Sequence, residues 1–409
     1  MKRLLGVALG VLTAIGGFVD IGDLVTNAVV GSRFGVSLVW VVVVGVVGIC
    51  LFANMSGRVA AVSGRATFEV IRERLGARAG MANLSASFLI NLMTVTAELG
   101  GIALALQLAS SVNYLLWVPV AAVAVWLVIW RVRFSIMENV TGLLGLSLIT
   151  FIVALFMLKP DWGALAGQTL APAVPDQESV WTYGYYAVAL FGAAMTPYEV
   201  FFFSSGAVEE KWSVKDLGQA RINVLVGFPL GGLLSVSIAA CAAVVLLPAG
   251  ISVTALSQVV LPVAEGAGKL GLAILLVGFV AATFGAALET TLSSGYTLAQ
   301  FFGWSWGKFR RPAQAARFHL SMIICLVIGI AVLATGVDPV QVTEYSVVFS
   351  AIALPLTYLP ILIVANDPQY MGEHVNGRVV NVLGMVFLVI ILVASIAAIP
   401  LMIVTGAGS

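Results

Sequence analysis

Long apolar stretches separated by short polar links run through the whole of this chain. Each stretch is about 20 residues or more, the length that an α-helix needs to cross the hydrocarbon core of a bilayer. Lipid offers the backbone no hydrogen-bond partners, so helices are the expected way to satisfy it. The pattern predicts eleven transmembrane helices, near residues 5–32, 36–61, 80–110, 114–131, 138–158, 179–207, 219–247, 268–300, 315–335, 342–365 and 379–404.

Two acids, Asp20 and Asp23, interrupt the first apolar segment. An uncompensated carboxylate at membrane depth is costly, so a cation or a polar cavity is expected to face them. Capping of the following helix is the alternative role, because acids at a helix N-terminus are stabilised by free amides and by the helix dipole. Thr196, Pro197 and Glu199 interrupt the sixth segment in the same way. Two interrupted segments in matching halves predict a transporter's substrate site near the midplane.

The division of the chain follows from these interruptions. Segments one to five and six to ten each begin with an interrupted helix, and five is odd, so the second half enters the membrane from the opposite side as an inverted repeat. We therefore predict a first repeat over residues 1–158, an extracellular linker over 159–178, a second repeat over 179–365, and a cytoplasmic link with the eleventh helix over 366–409.

Composition and charge agree with an integral membrane protein. Of 409 residues, 61% are hydrophobic and only 10% are charged, whereas about a quarter of a typical soluble domain is charged. The formal net charge is +1, and the basic residues are not gathered in one patch, which argues against a nucleic-acid partner. The three cysteines lie within apolar segments, which indicates buried thiols rather than disulfides.

Basic residues predict the orientation of the chain. If the N-terminus is cytoplasmic, all but three of the 20 lysines and arginines fall at cytoplasmic ends of segments, as the positive-inside rule requires. Only Arg33, Lys159 and Lys269 fall outside. We expect a multi-pass plasma-membrane protein with a cytoplasmic N-terminus and an extracellular C-terminus. A signal peptide is the alternative for the first segment, but no clear small-residue cleavage site precedes Asp20.

Several motifs resemble the NRAMP family of divalent-metal transporters. Asp20-Ile21-Gly22-Asp23 with Thr26-Asn27 is similar to the family's Asp-Pro-Gly-Asn and Thr-Asn in helix one, and Ala193 to Tyr198 is similar to its Ala-x-x-Met-Pro-His. The resemblance continues at residues 94–98, 336–339 and 366–372, so it spans most of the chain. It implies an all-α fold of the LeuT/APC type with interrupted helices one and six, and it places Ser346 near a polar ligand of helix ten.

The departures from that family concern ligand hardness and proton handling. The family's asparagine is replaced by Asp23, its metal-binding methionine by Thr196 and its histidine by Tyr198. The acid of helix three that is tied to proton movement is replaced by Val95, while Glu98 remains. Carboxylates, hydroxyls and waters are hard ligands that suit Mg²⁺, whereas selection of transition metals needs a soft ligand. The pattern therefore resembles the NRAMP-related magnesium transporters, a branch without proton coupling.

These observations predict a secondary transporter for the uptake of Mg²⁺, and of Mn²⁺, as a partly hydrated ion in a wide cavity. The expected metal site is formed by Asp20, Asp23, Thr196, Glu199 and the carbonyl of Ala193, which Pro197 frees. Gly22 is expected where the chain leaves helical geometry. Further pathway or supporting positions are Glu98, Met195, Tyr198 and Glu289, of which Met195 is weighed more as packing than as ligand.

Two other transport functions stay open at this stage. A proton-coupled Mn²⁺ or Fe²⁺ importer fits the same family, and a Na⁺-coupled amino acid or amine transporter fits the same fold. An enzyme is disfavoured, because no nucleophile with its base and no His-Glu-x-x-His motif is found. The sequence contains no P-loop, so nothing in it indicates coupling to ATP. We expect neither a resident cofactor nor an obligate protein partner.

Overall fold

The computed structural model describes residues 19–408, apart from the side chains at positions 134, 135 and 138. All regular elements in this part of the chain are helices. Alone or joined in pairs, they form ten spans that are long and apolar enough to cross a membrane. The first predicted segment contributes only its last part, Ile21–Phe34, because residues 5–18 lie outside the described residues. The all-α membrane fold is therefore confirmed, whereas a count of eleven helices stays a prediction.

We number the α-helices in chain order. Their bounds are α1 (Ile21–Phe34), α2 (Val39–Ser63), α3 (Thr67–Ser110), α4 (Tyr114–Arg131), α5 (Phe134–Gly145), α6 (Thr150–Met157), α7 (Trp162–Leu170), α8 (Val180–Ala194), α9 (Pro197–Glu209), α10 (Leu217–Val245), α11 (Leu256–Phe302), α12 (Ala316–Ala334), α13 (Pro339–Ala365), α14 (Pro368–Met371) and α15 (Arg378–Val404). A 3₁₀ turn, Leu146–Ile149, joins α5 to α6 within one span.

Two helices are longer than the apolar pattern predicts. The helix α3 begins at Thr67 and α11 at Leu256, each more than ten residues before the predicted segment. Each bends at a glycine with a positive φ, 81° at Gly76 and 67° at Gly268, a conformation that glycine adopts without steric cost. The apolar pattern predicts only the part of each helix after the bend, because the part before the bend is more polar.

The linker between the two halves is attached to the end of α1. It contains the short helix α7, and Glu178 at its end forms an ion pair with Arg33, with 2.6 Å between Nε and Oε1. Gln168 of α7 accepts a hydrogen bond from the backbone N–H of Val36 (3.0 Å). The guanidinium of Arg33 also donates to the carbonyl of Gly408, so the end of the described chain meets the same point. The linker therefore covers one end of the helix bundle.

The helices that bear the interruptions pack closely on their neighbours through glycines. A Cβ placed on Gly31 of α1 would overlap the backbone carbonyl of Ala239 in α10, and one on Gly192 of α8 would overlap the carbonyl of Val347 in α13. Small residues allow such backbone approach between membrane helices. The positions of α1 and α8 therefore depend on these contacts.

Replacing Gly31 by valine should destabilise the protein, because α1 and α10 must separate to admit the side chain. Overpacking of this kind costs about 1–3 kcal/mol, so we expect a lower midpoint of thermal unfolding for the purified protein in detergent. Gly218→Ala is the control, since a Cβ at Gly218 of α10 meets nothing within 4 Å. Equal midpoints for the two variants would contradict the tight α1–α10 contact.

Candidate functional site

The first interruption lies at the start of α1. Asp20 is the N-cap residue, and its Oδ1 accepts a hydrogen bond from the backbone N–H of Asp23 (2.9 Å). Glu98 of α3 accepts the backbone N–H of Ile21 (3.1 Å), and all of these groups are buried. The first backbone N–H groups of a helix have no acceptor within the helix. Here the carboxyl groups of Asp20 and Glu98 accept hydrogen bonds from two of them. The capping role considered for Asp20 is thus present.

The expectation that the chain leaves helical geometry at Gly22 is wrong. Gly22 lies in the first turn of α1, which begins at Ile21 directly after the non-helical residues Val19 and Asp20. A Cβ at Gly22 would lie 2.8 Å from Cγ1 of Val347 and 2.9 Å from Oδ1 of Asp20. The glycine is therefore required by the close approach of α13 and of the capping carboxylate, and not by an unusual backbone conformation.

The second interruption separates α8 from α9. The helix α8 ends at Ala194, Thr196 has an extended backbone (φ −65°, ψ 127°), and α9 begins at Pro197. Because proline has no N–H, it cannot donate to the Ala193 carbonyl four residues earlier. The carbonyl of Met195 accepts a hydrogen bond from the hydroxyl of Tyr358 on α13 (3.2 Å).

A small cavity lies between the two interruptions. Its volume is about 10 Å³, which accommodates about one water-sized sphere. The wide, hydrated cavity expected from the sequence is therefore wrong for this conformation. The lining residues come from α1, α3, α13 and the link between α8 and α9, and they are Asp20, Ile21, Gly22, Thr94, Ala97, Thr196, Thr343, Ser346, Val347 and Ser350.

Oxygen atoms dominate the polar lining of this cavity. Oδ2 of Asp20 accepts a hydrogen bond from the hydroxyl of Tyr198 (3.2 Å), and the hydroxyls of Thr94 and Ser346 are 3.1 Å apart. The buried hydroxyls of Thr196 and Ser350 make no hydrogen bond of normal geometry with any described residue. One carboxylate and several hydroxyls form a donor set that suits a hard cation.

Not every predicted ligand lines the cavity. Asp23 turns toward α10, where its Oδ1 accepts a hydrogen bond from the hydroxyl of Ser235 (3.3 Å). Ala193 and Glu199 are buried in the turns of α8 and α9 that flank the link, and the carboxyl of Glu199 lies close to the hydroxyl of Thr196. Within residues 19–408, no three His, Cys, Asp or Glu side chains are grouped as metal ligands. The role of these residues as ligands stays a prediction.

Met195 lies outside the cavity lining. Its side chain is fully buried, and a Cβ at Gly48 of α2 would lie 2.6 Å from its sulfur. The thioether thus fills the contact between α2 and the second interruption. This position agrees with the packing role given more weight for Met195.

Four acidic side chains are buried close together in this region, namely Asp20, Glu98, Glu199 and Glu289. The carboxyl group of Glu98 interacts electrostatically with those of Asp20 and Glu289, and Glu199 interacts with the same two. None of the four forms an ion pair with a lysine, arginine or histidine of the described part of the chain. Acidic side chains at membrane depth without a basic partner indicate a site that a cation can occupy.

Sequence reasoning missed Thr343 and Ser350 as lining residues. With Ser346 they lie at positions i, i+3 and i+7 of α13, which places all three on one face of the helix. Polar residues at this spacing in an otherwise apolar helix were the available signal.

The fold is that of the LeuT-type transporters. A variant of the manganese transporter of Eremococcus coleocola superposes with a TM-score of 0.73 at 20% identity, covering 96% of this chain and 85% of that chain. Mhp1, a nucleobase-cation-symport-1 family transporter, superposes with a TM-score of 0.62 at 18% identity, covering 96% and 91%. The predicted fold class is thereby confirmed.

Sequence comparison identifies the family. The family model described as Natural resistance-associated macrophage protein-like matches residues 10–400, and the chain belongs to this Nramp family. The divalent metal cation transporter MntH of Chromohalobacter salexigens is 25% identical over 402 residues, covering 94% of this chain and 89% of the relative. MntH of Aeromonas hydrophila is 25% identical over 383 residues, covering 92% and 91%. The family resemblance is confirmed, and the magnesium branch stays a prediction.

The contact of Glu98 with the start of α1 should contribute to stability. In Glu98→Leu the buried N–H of Ile21 loses its acceptor, which costs about 1–3 kcal/mol, so the thermal unfolding midpoint in detergent should fall. Glu98→Gln keeps a carbonyl oxygen at this position and should fall less. If leucine and glutamine have the same effect, the hydrogen bond does not hold the interruption in place.

Proposed function

We propose that this protein is a secondary transporter that carries divalent cations into the cell, Mg²⁺ ahead of Mn²⁺, by alternating access around its two interrupted helices. The main support is the cavity between the interruptions, which combines the carboxylate of Asp20 with hydroxyl oxygens from α3, α13 and the link between α8 and α9. Membership of the Nramp family and the divalent metal cation transporters among its relatives point in the same direction.

The preference for Mg²⁺ follows from the hardness of the donors. Mg²⁺ prefers oxygen ligands and keeps several of its waters, whereas thioether and thiolate ligands select softer metals. Thr196 supplies a hydroxyl at the second interruption, while the sulfur of Met195 packs toward α2. The site thus lacks the ligand that would favour Mn²⁺ or Fe²⁺ over the more abundant Mg²⁺.

The proposed cargo is partly hydrated, and the cavity of this conformation is too small for such an ion. A volume of about 10 Å³ corresponds to about one water. Entry of the ion therefore requires a conformation in which the helices around the cavity move apart. Asp23 and Glu199, which flank the cavity, are expected to approach the ion through its waters in that conformation.

We further propose that transport is passive with respect to protons. A proton relay across a membrane needs a series of titratable groups. Four acids are buried around the cavity, but Asp20 is the only one of them that lines it, and no histidine lines it. His319 of α12 lies beside the carbonyl of Arg310, away from the lining. An inside-negative potential contributes about 2.3 kcal/mol per charge per 100 mV, and twice that for a divalent ion.

A proton-coupled Mn²⁺ importer is the second candidate. It is favoured by the Eremococcus coleocola structure, which is that of a manganese transporter. Against it stand the absence of a sulfur ligand on the cavity wall and the change from an acid to Val95 in α3. The same uptake experiment separates the two candidates.

Liposomes that contain the purified protein should take up Mg²⁺ while an internal pH dye stays silent. Asp20→Asn removes the carboxylate of the cavity and should abolish most of this uptake. Asp161→Asn is the matched control, because Asp161 is also an N-cap aspartate but lies on the exposed helix α7.

Three results would contradict the proposal. Acidification of the lumen during Mn²⁺ uptake would select the proton-coupled importer. Unchanged Mg²⁺ uptake by Asp20→Asn would remove the cavity from the transport path. Absence of Mg²⁺ uptake by the parent, with Mn²⁺ uptake intact, would reject the preference for the harder ion.

Thr196→Met should shift selectivity from Mg²⁺ toward Mn²⁺, because it exchanges a hard oxygen for a soft sulfur at the same point. The ratio of initial uptake rates of the two ions, measured in the same liposomes, should move in favour of Mn²⁺. Thr196→Ser keeps the hydroxyl and should leave the ratio near that of the parent. A ratio that is the same in both variants would show that this side chain does not contact the ion.

A further inference from the structure

A buried lysine joins two connections at one end of the helix bundle. Residues 303–315 connect α11 to α12, and residues 132–133 connect α4 to α5. The side chain of Lys308 in the longer connection is buried, and its ammonium group donates hydrogen bonds to the backbone carbonyls of Ile129 (3.0 Å) and Val132. The lysine thus satisfies carbonyls that the end of α4 leaves without a partner in the helix. The two connections are therefore adjacent.

Two acids also hold the longer connection in place, through groups other than its arginines. Oε1 of Glu209, at the end of α9, accepts hydrogen bonds from the backbone N–H of Lys308 (2.6 Å) and from the hydroxyl of Tyr296 (2.6 Å). The indole N–H of Trp306 donates to Oε1 of Glu69 (3.0 Å). These contacts give the connection a defined conformation and leave its arginines to other partners.

Five exposed arginines lie on the two connections and at the helix ends beside them. Arg131 and Arg133 flank the Val132 carbonyl that binds the lysine. Arg310 and Arg311 follow the lysine by two and three residues, and Arg317 lies in the first turn of α12. None of the five forms an ion pair with an acid of the described part of the chain. We call this group the arginine surface.

Acidic residues are almost absent from the parts of the chain that form the arginine surface. No aspartate or glutamate lies between Glu289 and Asp338, and Glu138 is the only one between Glu98 and Asp161. Like charges gathered on a surface repel one another and attract ions of the opposite sign. The arginine surface is therefore suited to an anionic partner.

Exposed aromatic side chains accompany these arginines. Phe302 and Phe309 are 46% and 63% exposed. The ring of Trp304 stacks on that of Phe302, with 4.9 Å between the centroids, and the guanidinium of Arg317 lies 5.5 Å from the centroid of Trp304. Aromatic and basic residues at the ends of membrane helices are typical of the boundary between hydrocarbon and water. The surface therefore lies at the level expected for lipid headgroups.

We propose that the arginine surface binds the headgroup of an anionic phospholipid. Guanidinium groups bind phosphate oxygens through paired N–H donors, and Phe302 and Phe309 offer apolar surface to the acyl chains beside them. A soluble phosphate compound would leave both phenylalanines in water, which favours the lipid. The positive-inside pattern predicts that this end of the bundle is cytoplasmic, and anionic lipids give the cytoplasmic leaflet its negative surface potential.

A lipid at this position would contact both connections. It would reduce the repulsion among the arginines and hold the end of α4 against the connection between α11 and α12. A ligand that binds only the folded state raises the unfolding midpoint. The inference does not depend on which ion the protein transports.

The test is thermal unfolding of the purified full-length protein in neutral detergent, with phosphatidylglycerol or phosphatidylcholine of the same acyl chains added. Phosphatidylglycerol should raise the midpoint in a saturable way, and phosphatidylcholine should not. The double variant Arg310→Gln with Arg311→Gln should need a roughly tenfold higher concentration of phosphatidylglycerol for the same rise, because two charges near the headgroup are removed.

The matched control is the double variant Arg221→Gln with Arg378→Gln. These two arginines are also exposed and form no ion pair with the described residues, but they lie at the starts of α10 and α15. The control removes the same number of charges and should respond to phosphatidylglycerol as the parent does. Equal weakening in both double variants would show a general effect of net charge and overturn the proposed site.

Two further results would also overturn the proposal. One is an equal rise in midpoint with the two lipids. The other is an equal rise with glycerol phosphate, which would show that a soluble phosphate compound is sufficient and that the lipid chains are not recognised.

Native mass spectrometry of the parent protein is a readout that needs no variant. From micelles that contain equal amounts of the two lipids, the protein should retain phosphatidylglycerol in preference to phosphatidylcholine. Retention of both lipids in equal proportion would contradict a site for anionic headgroups. Loss of Mg²⁺ transport with this preference intact would reject the proposed function alone, so the two failures are distinguishable.

Discussion

The structure depends on how the backbone groups freed by two helix interruptions are satisfied inside a membrane. Lipid provides no donors or acceptors, so the partners must come from the bundle. At the first interruption these partners are the carboxylates of Asp20 and Glu98, and at the second the hydroxyl of Tyr358 binds the freed carbonyl of Met195. The groups that hold the interruptions open therefore come from α1, α3 and α13, and the cavity lies among the same helices.

This constraint also explains the concentration of acidic side chains around the cavity. Carboxylates are effective acceptors for helix amides, but together at membrane depth they repel one another. Among the described residues no basic side chain neutralises Asp20, Asp23 or Glu98. A bound cation is the natural partner of these carboxyl groups, which links the stability of the interruptions to the proposed transport.

Much of this arrangement could be predicted from local patterns, and the errors have physical reasons. The interruptions were predicted near Asp20 and Thr196, because an acid is costly in lipid and a proline removes a hydrogen bond of the helix. Gly22 was assigned to the break, but a glycine between two acids does not reveal that a neighbouring helix approaches it. Ser350 was missed, although it continues the polar spacing of Thr343 and Ser346 on α13, because that spacing does not show which helices face these residues.

The membrane class, most of the spans and the positions of the two interruptions can be read from the residues, because apolar length and the placement of acidic residues act through local interactions with lipid. Which oxygens share a cavity follows only from the packing of the helices. Asp20 and Asp23 are three residues apart, yet one lines the cavity and the other faces Ser235 of α10. The direction of each side chain depends on the packing of distant helices, and the size of the cavity depends on how closely those helices approach. Neither is encoded within one segment.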